Sequence, residues 1–221
     1  MRNSRPPETY GDPSDLRLLV AIAAIAAAVL TLLTWIILSS GSVPLSVDST
    51  VHGWMRSIEW DPLSTVARGV TRLGDSLVVW IIAGVVALVL AGFRRWWAAS
   101  ILALGMAFDI GLVRAGKTMV QRARPGDLIS SGFGTSFPSG HSAYGVVWVV
   151  MGIIATRSIP RLRGTRWPIV LGVVLAVLIP LSRVYLRPHW FTDVIGGIAT
   201  GCIATCSKRR NLRKATTGRS S

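Results

Sequence analysis

Charge is scarce in this sequence. Only 15% of its 221 residues are charged, and 10 acidic side chains face 24 basic ones. A soluble domain of this length carries more charge and spreads it more evenly. Here the charges cluster, and long uncharged stretches lie between them. Cysteine is nearly absent. Cys202 and Cys206 stand in an apolar stretch near the C-terminal end, where they read as small buried residues and not as a disulfide framework. No His/Cys grouping has zinc spacing and no acidic cluster suits magnesium, so neither a metal nor a cofactor is expected. Internal and inverted repeats are also missing, which argues against a transporter.

What is abundant is apolar sequence in runs. Hydrophobic residues make up 51% of the chain, and the mean hydropathy is +0.52. Residues 18–38 form an uncharged run of 21. At about 1.5 Å rise per residue such a helix spans roughly 30 Å, the thickness of a bilayer core. Residues 76–93 and 96–113 are similar, the latter interrupted by Asp109, and shorter runs follow at 142–156, 167–182 and 194–207. The expected fold is all-α: a polytopic membrane protein with a six-transmembrane-helix bundle over 18–207. A polar, disordered tail over 1–17 and a basic tail over 208–221 flank it.

A net charge of +14 raises the question of nucleic acid. The distribution answers it. With both termini cytoplasmic, 15 of the 24 basic residues fall on inside segments, including Arg94, Arg95, Arg157, Arg161, Arg163 and Arg166. The positive-inside rule therefore predicts a multi-pass cell-membrane protein with cytoplasmic termini, and it leaves no role for nucleic acid. In the outer loop at 41–75, Val47, Val51, Trp54 and Ile58 recur at helical spacing, which fits an amphipathic helix lying at the interface or capping the bundle.

The three short runs complete a crossing only by extending through the polar residues at their outer ends, which are His141 and Ser139, Arg183, and Asp193 and His189. Ionisable groups at that depth default to function. Lys117 and Arg124-Pro125 stand about two helical turns apart, able to share one face as an anion clamp or to snorkel, with a helix end at the pre-proline Arg124. Phe137-Pro138-Ser139-Gly140-His141 reads as a helix start whose free N–H groups suit phosphate, or as a simple capped helix. Ser182-Arg183 leads to Pro188-His189 and Asp193. With Pro188 in the first turn, His189 and Asp193 lie at i and i+4, either as an imidazole aligned by a carboxylate for nucleophilic attack or as a buried ion pair.

Taken together, the three segments resemble the type 2 phosphatidic acid phosphatase (PAP2) superfamily, whose signature runs K-x6-RP, PSGH and SR-x5-H-x3-D. Every signature position is present, in order, across residues 117–193. The resemblance implies a membrane-bound lipid phosphatase. It assigns His189 as the nucleophile that becomes phosphohistidine, Asp193 as its orienting carboxylate and His141 as the acid–base group. Lys117, Arg124, Ser139, Gly140 and Arg183 would hold the phosphate oxygens. The expected partners are the bilayer and a lipid phosphate, with the active site on the outer face. A lipid phosphotransferase and a non-catalytic lipid-binding protein are the alternatives. For the substrate, Arg114, Arg122 and Arg187 suggest extra donors for a second phosphate and so a polyprenyl diphosphate, ahead of phosphatidate or phosphatidylglycerophosphate. Asp109, deeper in its run, is expected to pair with a hydroxyl or cation of the bundle. Oligomeric state is not legible in the sequence.

Overall fold

The computed structural model describes residues 13–217, and the side chains of 17–205. Most of the polar tail expected at 1–17 lies outside the described residues, as do the side chains of the basic tail at 208–221. Among the described residues eight α-helices appear in order: α1 (Pro13–Ser39), α2 (Ser46–Ser57), α3 (Asp61–Arg72), α4 (Ser76–Gly92), α5 (Trp96–Val120), α6 (Gly140–Ser158), α7 (Trp167–Tyr185) and α8 (Phe191–Thr217). The fold is all-α, as expected. Three helices, α1, α5 and α7, are long and apolar enough to cross a membrane, and α3 with α4 forms a fourth candidate bent by 44°.

Small residues set the bundle's tightest contacts. On α7, a side chain in place of Gly172 would run into the backbone of Trp148 on α6. On α8, one in place of Gly197 would strike the Ser139 carbonyl at the start of α6. With little apolar driving force between helices inside lipid, close backbone approach at small residues is a main source of packing energy. The largest buried cluster joins α4, α5 and α6 through Val79, Ala83, Leu102, Met106, Tyr144, Val147 and Met151.

The segment at 41–75 holds two helices where the sequence suggested one. On α2, Val47 and Trp54 are exposed, as is Ile58 at its C-cap, while Asp48 is fully buried. The apolar stripe therefore faces outward and a carboxylate faces the bundle. Asp109 also departs from expectation. It is buried on α5 and neither carboxylate oxygen has a hydrogen-bond partner among the described residues.

Candidate active site

One end of the bundle gathers the ends of α5 and α7, the starts of α4, α6 and α8, and the segment 121–139. Here helical periodicity misleads twice. Lys117 and Arg124 do not share a helix face, because α5 stops at Val120 and Gln121 turns into the left-handed region at φ 48°. They converge by another route. Lys117 Nζ and Arg124 Nη2 both donate to the Thr135 carbonyl, while Arg124 also donates to the Phe133 and Gly134 carbonyls. Pro188 and His189 likewise precede α8, which begins at Phe191. Asp193 Oδ2 accepts the Trp190 N–H at 2.8 Å, closing the first turn three residues upstream of the carboxylate.

His189 still meets Asp193. Its Nδ1 lies 3.7 Å from Oδ2, an electrostatic contact longer than a hydrogen bond. Arg124 Nη1 donates to Nε2 at 3.1 Å and to the Pro188 carbonyl, so Nε2 carries the lone pair. Burial pushes the His189 pKa down from 6.5 to about 3, against the upward pull of the Asp193 carboxylate. Arg124 is also pushed down by burial, with Asp193 opposing. The imidazole is thus neutral near pH 7 with a lone pair to offer.

That shift has a consequence for stability. The unfolded chain takes up a proton on His189 at a pH where the native state refuses it. The contribution is therefore fully present above the ordinary value of 6.5 and drains away as pH falls toward about 3. The drop in Tm between about pH 7.5 and pH 5 should be smaller in His189→Asn than in the native chain. An equal drop would mean that His189 titrates as an ordinary histidine.

The second motif starts a helix as expected. Ser139 is the N-cap of α6, its N–H donates to the Asp193 carbonyl at 2.9 Å, and its hydroxyl accepts from Ser142. A Cβ at Gly140 would find only ordinary contacts with Tyr144 and Val113, so no protein neighbour demands glycine there. His141 Nε2 meets Asp75 Oδ1 at 2.8 Å. Arg183 is buried and donates to Thr71 Oγ1 at 3.0 Å.

Three residues that the motifs do not name complete the site. Asp75, the N-cap of α4, partners His141. Arg122 is fully buried and bridges two carboxylates, donating through Nη1 to Asp193 Oδ1 at 2.8 Å and through Nη2 to Asp48 Oδ2 at 2.6 Å. Asp48 in turn accepts from the backbone N–H and the hydroxyl of Thr192. This geometry corrects the expectation that Arg122 and Arg187 serve a second phosphate. Arg122 is spent on Asp48 and Asp193, and Arg187 is paired with Glu59 at 2.9 Å and Asp127 at 3.5 Å. The signal that could have found the first cluster is an aspartate on the packed face of an otherwise outward-facing amphipathic helix.

Residues 96–214 match the PAP2 superfamily. The chain is 32% identical over 146 residues to phosphatidylglycerophosphatase B of Bacillus subtilis, covering 64% of this chain and 71% of that protein. It is 28% identical over 131 residues to an undecaprenyl-diphosphatase of Sulfolobus acidocaldarius, covering 56% and 58%. The fold superposes with a TM-score of 0.74 on the crystal structure of a transmembrane PAP2-type phosphatidylglycerolphosphate phosphatase from Bacillus subtilis, at 24% identity, over 90% of this chain and 97% of that one. A multi-pass membrane fold, the three ordered motifs and these matches agree: the chain belongs to the PAP2 superfamily and is a membrane lipid phosphatase.

Proposed function

We propose that the chain hydrolyses a lipid phosphate monoester through a phosphohistidine on His189. The observation that carries this is the neutral, buried imidazole whose Nε2 faces Arg124 while Nδ1 faces Asp193. Nε2 attacks phosphorus and the P–O bond to the lipid breaks. The leaving oxygen takes a proton from His141, which the Asp75 carboxylate supports as imidazolium. Water then attacks the phosphohistidine, gives its proton to His141 and releases inorganic phosphate. Lys117, Arg124, Arg183 and the start of α6 at Ser139 and Gly140 neutralise the phosphoryl oxygens, the chief demand of such a transfer.

The loss of Arg122 and Arg187 to internal carboxylates favours a single phosphate over a diphosphate. The similarity to phosphatidylglycerophosphatase B points the same way. With phosphatidylglycerophosphate and a polyprenyl diphosphate in one detergent, kcat/KM should be higher for the monoester. Preference for the diphosphate would reverse the substrate reading and leave the phosphatase intact.

Among the described residues no group of His, Cys, Asp and Glu stands together to hold a metal. Turnover should therefore survive chelators and be inhibited by vanadate, which mimics the five-coordinate phosphoryl group. Loss in chelator restored by magnesium would contradict this. We read α1, α4, α5, α6, α7 and α8 as six spans, with both termini cytoplasmic and the catalytic end outside, on the distribution of basic residues. A thiol reagent added from outside should label a cysteine introduced at position 130 and miss one at position 163. The reverse pattern inverts the topology.

A further inference from the structure

At the end of the bundle away from His189, α4 parts from α6 and α7 and leaves a cavity of about 580 Å³. Its walls are apolar, among them Val86, Leu90, Met151, Ala155 and Leu171, with Trp148 and Trp167 beside them. Along α4 the lining runs from Ile82 to Phe93. That is about 16 Å at 1.5 Å per residue, close to the hydrocarbon depth of one leaflet. Arg95 closes the groove at its polar end.

The surroundings of Arg95 are one-sided in charge. Arg94, Arg157, Arg161, Arg163 and Arg166 lie on the turns that flank the mouth, and residues 76–108 and 140–192 contain no acidic residue at all. Among the described residues none of these six arginines forms a salt bridge, whereas Arg122 and Arg187 at the catalytic end both do. A leaflet-deep apolar slot ending in unneutralised guanidinium groups matches one chemistry, an acyl chain bearing an anionic headgroup. We infer that this groove is a binding site for an anionic phospholipid of the leaflet opposite the catalytic centre, seated with one chain between α4 and α7 and its phosphate on Arg95. The occupant is not the substrate. On α6, the stretch from His141 to Trp148, the first of its residues to line the groove, separates the groove from the reacting end by about 10 Å of helix. A lipid held there wedges α4 against α6, and α4 begins at Asp75, the partner of His141.

The test uses the full chain in nanodiscs of equal phosphatidylglycerol and phosphatidylethanolamine, transferred to detergent and analysed by native mass spectrometry. One phosphatidylglycerol should be retained per chain in preference to phosphatidylethanolamine. Arg95→Gln should weaken retention about fivefold, the scale of one arginine at an anionic surface, and Val86→Trp should abolish it by filling the slot. Vanadate should leave the retained lipid in place, since it occupies the catalytic end. Hydrolysis of a water-soluble aryl phosphate by both variants should persist, which shows that they fold and keeps this site separate from the catalytic reading. Equal retention of the two lipids, retention unchanged in both variants, or release by vanadate would overturn the inference.

Discussion

Alanine in place of His189 is expected to lower steady-state turnover by roughly 10⁴-fold or more, the scale seen when an enzyme loses its nucleophile. The protein should remain folded in the membrane, because the ring makes one side-chain hydrogen bond, to Arg124. The companion experiment separates the two chemical steps. With a lipid substrate, His141→Ala should lose roughly 10²–10⁴-fold, as for removal of a general acid. An aryl phosphate needs no proton on its leaving oxygen. With it the same variant should release one phenol per chain in a burst and then stall as phosphoenzyme, because no base activates water. Phosphate trapped on nitrogen, labile to acid and stable to alkali, identifies the intermediate. Undiminished turnover by His189→Ala, or a burst without a histidine-linked phosphate, removes the mechanism.

The second large effect is expected at Arg122, which no motif names. Alanine there leaves Asp48 and Asp193 as two buried carboxylates without their cation. Breaking a buried pair in that way costs about 3–5 kcal/mol, so Arg122→Ala should fail to accumulate or show a sharply lower Tm. Lysine is more informative. It keeps the charge but cannot present a planar fork to two carboxylates at once. Arg122→Lys should fold, with kcat down by roughly 10²-fold and KM nearly unchanged, since what is lost is the aim of Asp193 at His189 and not a contact to substrate. Asp48→Asn should behave alike and more mildly. A rise in KM with kcat intact, confined to diphosphate substrates, would instead make Arg122 a substrate ligand.

The contrast between Arg122 and its neighbour Arg124 shows what a sequence discloses and what it hides. The apolar runs marked where each helix of the bundle begins to within five residues, because lipid demands long uncharged segments and little else produces them, although α5 and α8 continue 7 and 10 residues past their runs. Arg124 was legible because it belongs to a spaced signature. Arg122 reads in the sequence as a spare donor for a second phosphate. Its partners lie 74 and 71 residues away in sequence, and no local periodicity records a pairing at that range. Asp75, 66 residues from His141, was hidden for the same reason. The helix ends at Gln121 and Pro188 were misjudged because hydrophobic spacing carries no signal for a left-handed cap or for a turn closed by Asp193.

The buried bridge of Asp48, Arg122 and Asp193 also bears on how the protein is made. Its three members enter the membrane region in chain order, on α2, just after α5, and on α8. When Arg122 emerges from the ribosome only its Nη2 partners, Asp48 and the Val43 carbonyl, are already made, and the Nη1 half of its fork stays empty. The carboxylate that fills it arrives with the last helix, together with the Thr192 N–H and hydroxyl that complete Asp48. Docking of α8 thus closes the polar network and delivers His189 and Asp193 in one step. A nascent chain halted before α8 should hold α2 loosely and open to protease, and the full chain should not. His189 and Asp193 come together only at the moment the bundle is sealed, so no partly inserted intermediate holds the pair.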